Sequence, residues 1–228
     1  MSYPVYRDLR DRNQSLAGLA ASNPTESSLD FEGNGHPAAA EAVSANYPQV
    51  IGVRPFLGRW FSSEVEPAAV ISYRAWQGLF NGDPDVLGKR VRSETQWYMV
   101  VGVAPKEFTG IFLPMSIDVW VPFRMWARQY ANIVSEMQDW ASLRAMVFGR
   151  LKPGIGVGQA GAELNAIAEQ IRKEDPKAGK TAQRIVVERV RGIPNVNGRR
   201  QSVPVVALMM IVVGMVLLIA CVNVATCC

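Results

Sequence analysis

The chain has 228 residues, 49% of them hydrophobic and 19% charged, with a formal net charge of +4. That balance excludes a polytopic membrane protein and a disordered chain, and cysteines confined to positions 221, 227 and 228 exclude a disulfide scaffold and a thiolate metal site upstream. The charge is uneven: Arg172 to Arg200 holds nine basic and three acidic residues, and without interleaved aromatics this reads as a solvated or headgroup-facing segment and not as a nucleic-acid site.

The start, MSYPVYRDLRDRN, is polar and charged, unlike a signal peptide. Tyr3 to Gln14 predicts a modest amphipathic helix carrying Tyr6 and Leu9. Ser22-Asn23-Pro24 and Gly33-Asn34-Gly35-His36-Pro37 are turn chemistry, flanking a weak strand over Ser27 to Phe31. Glu41 to Tyr47 is a second weak strand, and Gly52 to Phe61 a loop with apolar anchors. Ala68 to Ser72 is a short buried strand, followed by a short helix over Tyr73 to Phe80 that ends at Asn81-Gly82-Asp83-Pro84. Lys89 to Ser93 and Trp97 to Val103 predict a hairpin, with further strands at Asp118 to Pro122 and Ala145 to Leu151. Val157 to Arg172 is the clearest soluble helix, because Leu164, Ile167, Ala168 and Ile171 share a face. Ile185 to Val190 reads as a last strand before the linker Gly192 to Gly198. The class is α+β, a mixed domain of short strands and helices in two subdomains.

Catalytic constellations are mostly missing from the sequence. Gly82 to Arg90 (GDPDVLGKR) resembles a phosphate loop, but five residues separate its glycines and Arg90 replaces the hydroxyl residue. Gly179-Lys180-Thr181 has the right ending, yet Glu174 occupies the first glycine position and a helix precedes it. ATP binding by this chain is therefore not expected. The single histidine, His36, lies in a Gly/Pro turn and reads as an exposed turn residue with no metal or general-base role. No Gly-x-Ser-x-Gly elbow supports a serine hydrolase. Asp8, Asp11, Glu163 and Glu169 fit solvated helix faces. The six tryptophans are dispersed through different elements, which suits packing better than a carbohydrate surface. No catalytic, cofactor-binding or metal residue is assigned, and no pocket of converging ionisable side chains is expected; one around His36 would reverse that reading.

Val203 to Ala225 is a 23-residue apolar run interrupted by Pro204, Gly214 and Asn223, inside a stretch from Gln201 to Cys228 free of Asp, Glu, Lys and Arg. A bilayer core needs about 20 helical residues, so the run predicts one C-terminal transmembrane helix. Gly214 permits close helix contact and Asn223 interhelical hydrogen bonding, which makes both helix-packing candidates; a plain anchor accounts for them equally well.

The order of several segments resembles a known family: Ser2 to Asn13 (SYPVYRDLRDRN), Val43 to Tyr47, Gly52 to Arg59 (GVRPFLGR), Val70 to Trp76, Gly82 to Lys89, Val100 to Pro105, Asp118 to Pro122, Gly149 to Gly154 (GRLKPG), and Leu217 to Ala225 (LLIACVNVA). Together they are similar to the MacB-like periplasmic core domain followed by the start of an FtsX-like permease domain, in transporters of the macrolide-exporter and lipoprotein-release type. The resemblance implies a non-catalytic permease subunit in the inner membrane. Residues 1–200 would form the periplasmic domain and residues 203–225 the second membrane helix. It implies a cytoplasmic ABC ATPase as partner, a homodimer or paired permease, a periplasmic adaptor, and mechanotransmission in which the periplasmic domain couples cytoplasmic ATP hydrolysis to substrate efflux or release. No nucleic-acid partner is implied.

Relatives carry a membrane helix before the opening motif and further helices after the apolar run, so the chain is expected to be a fragment. Gly156 stands where relatives often carry a Ser cap. Arg199 and Arg200 precede the apolar run, which by the positive-inside rule would keep the large domain cytoplasmic; the rule weakens for long domains, and the resemblance places the domain outside. A membrane-anchored adaptor without transport activity is the alternative, and a hydrolase with an unrecognised site is a third.

Overall fold

The computed structural model describes residues 1–112, 115–128, 145–174 and 184–189, with Met210, Gly214 and Met215 beyond them. The chain divides into two units, Met1–Arg189 and Val190–Cys228.

Helix α1 (Tyr3–Arg12) opens the first unit with Pro4 in its first turn, where the missing N–H costs no helical bond. Its buried face is Tyr3, Val5, Tyr6 and Leu9. Asn13 ends it: the amide Nδ2 donates to the Leu9 and Arg10 carbonyls at 2.7 and 2.9 Å, satisfying acceptors that the helix leaves open.

Strand β1 (Leu16–Phe31) then runs 16 residues and folds back on β2 (Asn34–Val43). Glu32 and Gly33 make the turn at φ 55° and 83°, the left-handed pair that matches strand twist in a two-residue hairpin. The expected turn at Ser22-Asn23-Pro24 is not there, and the two weak strands predicted on either side of the real turn are halves of this long hairpin. Register explains why two prolines are tolerated. Phe31 and Asn34 close the ladder as a hydrogen-bonded pair, so alternation leaves Pro24 (opposite Glu41) and Pro37 (opposite Ser28) in non-bonded pairs. Each ring nitrogen therefore points away from the hairpin ladder and removes no bond from it. Tyr47, expected as the end of a strand, instead begins the short helix α2 (Tyr47–Ile51).

The remaining strands close a ring. These are β4 (Ala68–Ile71), β5 (Arg90–Ser93), β6 (Gln96–Val103) and β7 (Val119–Pro122). Pairing runs β2–β7 parallel, β7–β4 antiparallel, β4–β6 parallel, β6–β5 and β5–β1 antiparallel, and β1–β2 completes the circuit. The result is a small six-stranded mixed barrel. Closure removes most open edges. Strand β3 (Leu57–Gly58) adds to the end of β6, and β8 (Met146–Leu151) pairs with the first half of β1. At the β3–β6 crossing a Cβ on Gly102 would lie 2.2 Å from the Arg59 carbonyl oxygen, so the backbones approach too closely for any other residue.

Strand alternation divides the buried residues into two cores. Leu29, Ala40, Ala42, Ile71, Val91, Val100 and Val119 face one way. They pack with α1, α3 (Tyr73–Phe80), α4 (Phe123–Ala127) and α5 (Val157–Glu174). Helix α3 is capped by Ser72, whose hydroxyl accepts from Ala75 N at 3.0 Å, and stops at Asn81 in the left-handed region. Ala20, Val43, Val70 and Trp120 face the other way, beneath α2, Trp60 and Phe61. The α+β class is as expected, but the two subdomains are not: Met1–Arg189 forms one unit because β1 takes part in both the barrel and the β8 extension.

The strand expected from Ile185 is also replaced. Residues 184–189 carry no strand pairing, and the Asn165 side chain of α5 serves as partner. Its Oδ1 accepts from Ile185 N at 2.9 Å and its Nδ2 donates to Ile185 O at 2.8 Å, which satisfies both backbone groups from a helix face.

Candidate functional site

Glu41 is fully buried on β2, in a stretch of alanine and valine. Its carboxylate accepts three hydrogen bonds, each from a different element. Ser22 Oγ of β1 donates to Oε1, Tyr47 OH of α2 donates to Oε2 at 3.1 Å, and Trp120 Nε1 of β7 donates to Oε2 at 2.7 Å. Burial pushes the carboxyl up to about 7, and the three donors act against that rise. Tyr47 is pushed well above the ordinary phenol range, first by burial and then by the Glu41 charge. Around this group lies an aromatic shell: Phe108 stacks on Trp120 at 5.1 Å, and Trp60 meets Trp120 edge-on at 5.7 Å. The arrangement can hold or release one proton near neutral pH while tying β1, β2, α2 and β7 together.

Sequence reasoning passed over Glu41. The available signal was a carboxylate set among Ala38, Ala39, Ala40, Ala42 and Val43, which a solvated strand would not surround with apolar neighbours.

His36 lies where the two turns meet. A cleft of about 430 Å³ is lined by Phe31, Glu32 and His36 from the hairpin tip and by Phe80, Asp83 and Lys89 near the end of α3, among others. This corrects the expectation that no pocket would gather ionisable side chains, since hairpin register carries His36 to the tip beside Glu32 and the α3 turn supplies Asp83. Within this cleft the Asp83 carboxylate is already engaged. Lys89 Nζ holds Asp83 Oδ2 at 2.5 Å, which keeps that carboxyl below its usual range and raises the ammonium. Asp83 Oδ1 accepts from Asp85 N at 2.8 Å, so the second oxygen is also engaged. Among the described residues no group of three His, Cys, Asp or Glu could hold a metal ion.

Glu163, expected on a solvated helix face, tethers α5 to the entrance of β1. It accepts from Gln14 N at 2.7 Å and Ser15 N at 2.9 Å, and the hydrogen bonding holds its carboxyl low. Trp60, Trp76, Trp120 and Trp126 are buried, as packing residues should be, whereas Trp97 is 46% exposed and Trp140 lies outside the described residues.

The predicted membrane segment lies almost wholly outside the described residues, and Asn223 with it. Gly214 is helical and exposed, and a Cβ placed on it would meet nothing within 4 Å. Among the described residues no helix is long and apolar enough to cross a membrane.

The closed mixed barrel with its flanking helices can be compared with known proteins. Residues 1–167 match the family of the MacB-like periplasmic core domain. The chain belongs to that family. Among solved structures it is similar to the periplasmic region of MacB from Actinobacillus actinomycetemcomitans, at TM-score 0.56 and 12% identity over 78% of this chain and 76% of the other. It is likewise similar to the extracellular domain of the noncanonic ABC-type transporter YknZ from Gram-positive bacteria, at TM-score 0.59 and 16% identity over 78% and 85%. A permease-protein domain from Porphyromonas gingivalis aligns at TM-score 0.57 and 17% identity over 76% of each chain. These likenesses share the fold. Among curated proteins, none matches the sequence.

Proposed function

We propose that the chain is the extracytoplasmic part of a non-catalytic permease subunit in an ABC-type export or mechanotransmission system. Residues 1–200 stand outside the inner membrane and residues 203–225 form a membrane helix, with Gly214 and Asn223 as its packing positions. A cytoplasmic ABC ATPase supplies the energy, a paired permease completes the unit, and the domain passes movement to a substrate or periplasmic adaptor. The observation that carries this reading is family membership across residues 1–167. It is supported by the charge-free run from Gln201 to Cys228, which is long enough to cross a bilayer.

Topology provides the test. Trp97→Cys places a thiol at an exposed position of the fold, and Cys221, Cys227 and Cys228 are changed to Ser to clear the background. A membrane-impermeant maleimide should label this variant in intact cells; labelling only after permeabilisation sinks the proposal. Co-purification with an ABC ATPase separates a permease from an adaptor that works without a transport partner.

A further inference from the structure

The β5–β6 hairpin turns a face of mixed chemistry toward solvent. Arg90 lies opposite Met99 and Arg92 opposite Trp97, so alternation puts these four side chains on one side of the hairpin. Trp97 is 46% and Met99 49% exposed. Both guanidinium groups flank the indole, Arg90 Cζ at 4.9 Å and Arg92 Cζ at 5.7 Å from the ring centroid. Arg92 also bonds Asp30 at 2.6 Å, while Arg90 makes no ion pair among the described residues.

This combination selects a partner. A half-exposed indole beside a half-exposed thioether is apolar surface that a contact would bury, and Trp and Arg are the residues that dominate interface energetics. Covering the face would strip water from Arg90, which is costly unless an anion meets it. The guanidinium fork suits a carboxylate. A plane of negative charge is disfavoured, because Glu94 stands at the hairpin turn and Asp30 lies beside Arg92. Carboxylates spaced along a protein segment can avoid both.

We propose that the outward face of the β5–β6 hairpin is a docking surface for an acidic protein segment, with Trp97 as its apolar anchor and Arg90 as its charge partner. The surface is defined by the barrel alone and does not depend on the transport reading.

The experiment uses the full chain in zwitterionic nanodiscs and three labelled 12-residue peptides of alternating Glu and Leu, Gln and Leu, or Lys and Leu. The Glu–Leu peptide should bind roughly tenfold or more tightly than the others, weaken as salt rises, and protect Trp97 from acrylamide quenching. Arg90→Glu and Trp97→Ala should each cost roughly tenfold in affinity while circular dichroism is unchanged. Arg90→Gln, which keeps the stem but removes the charge, provides the check should Trp97→Ala fail to fold. Equal affinity for the Glu–Leu and Gln–Leu peptides overturns the proposal, as does an Arg90→Gln variant that binds like wild type. So does preferential binding to phosphatidylglycerol vesicles, which would make the face a membrane contact. Lower stability in these variants with no change in peptide binding would reduce the arginine–tryptophan pairs to hairpin supports and equally reject docking.

Discussion

One face of the barrel offers Ile71, Val100 and Val119 to the helices α1, α3 and α5, while the opposite face places Glu41 in hydrogen-bond contact with Ser22, Tyr47 and Trp120. Both are fully buried and both hold the same strands. The difference lies in what each costs. Aliphatic side chains return about 1.5–3 kcal/mol each on burial, with no dependence on pH. A buried carboxylate without a facing cation is stabilised only by its donors, and its contribution changes with its proton. The apolar contacts of the helix-covered face therefore stabilise the fold independently of pH, and the Glu41 face makes stability depend on it.

The contrast is broken most severely by Trp120→Ala. Trp120 is fully buried between Phe108 and Trp60, and its loss should cost about 4 kcal/mol in urea unfolding while removing a donor from Glu41. Ile71→Ala on the opposite face should cost about 3 kcal/mol, by the same amount at pH 5 and pH 8. A pH-dependent penalty at Ile71 would contradict the division of faces.

Glu41→Gln sharpens the comparison. The Glu41 carboxyl stands at about 7 in the fold, against 4.5 ordinarily, so ionisation is costlier folded than unfolded. The stability tied to its proton is fully present below about pH 4.5 and is lost as pH rises through about 7, a swing of about 3 kcal/mol. Wild type should thus be weaker at pH 8 than at pH 5 by about 2.5 kcal/mol more than Glu41→Gln is, because part of the swing already lies below pH 5. Parallel pH profiles for the two proteins would show that Glu41 does not titrate in this range.

Two smaller changes calibrate the helix-covered side. Ser72→Ala deletes the cap of α3 and should cost about 1 kcal/mol in thermal or urea unfolding. Arg74 is 66% exposed in its bridge to Asp118 at 2.6 Å, so Arg74→Ala should move stability by less than about 0.5 kcal/mol, and the small shift should shrink further in salt.

Much of the fold was legible in the sequence. The helices over Tyr3, Tyr73 and Val157 and the strand over Ala68 were readable because cap, breaker and apolar spacing all lie within a few residues. The hairpin from Arg90 to Val103 was readable for the same reason. Pro24 misled because a proline is a turn signal locally, and only its register opposite Glu41 shows that the strand continues through it. Of the chemical groups, His36 was noticed without its cleft, and Glu41 was missed as a buried acid.

By itself, then, the sequence determined the α+β class, the positions of the locally encoded elements, the family resemblance, and the charge-free run beyond Gln201. Only the tertiary structure decided that six strands close into a barrel, that Glu41 meets Ser22, Tyr47 and Trp120, that Asn165 takes the place of a strand edge for Ile185, and that Trp97 stays in water between two arginines. The physical reason is distance along the chain. A cap or a helix face is settled by neighbours three or four residues away, whereas the Glu41–Trp120 contact spans 79 residues and exists only once register and closure have brought the strands together.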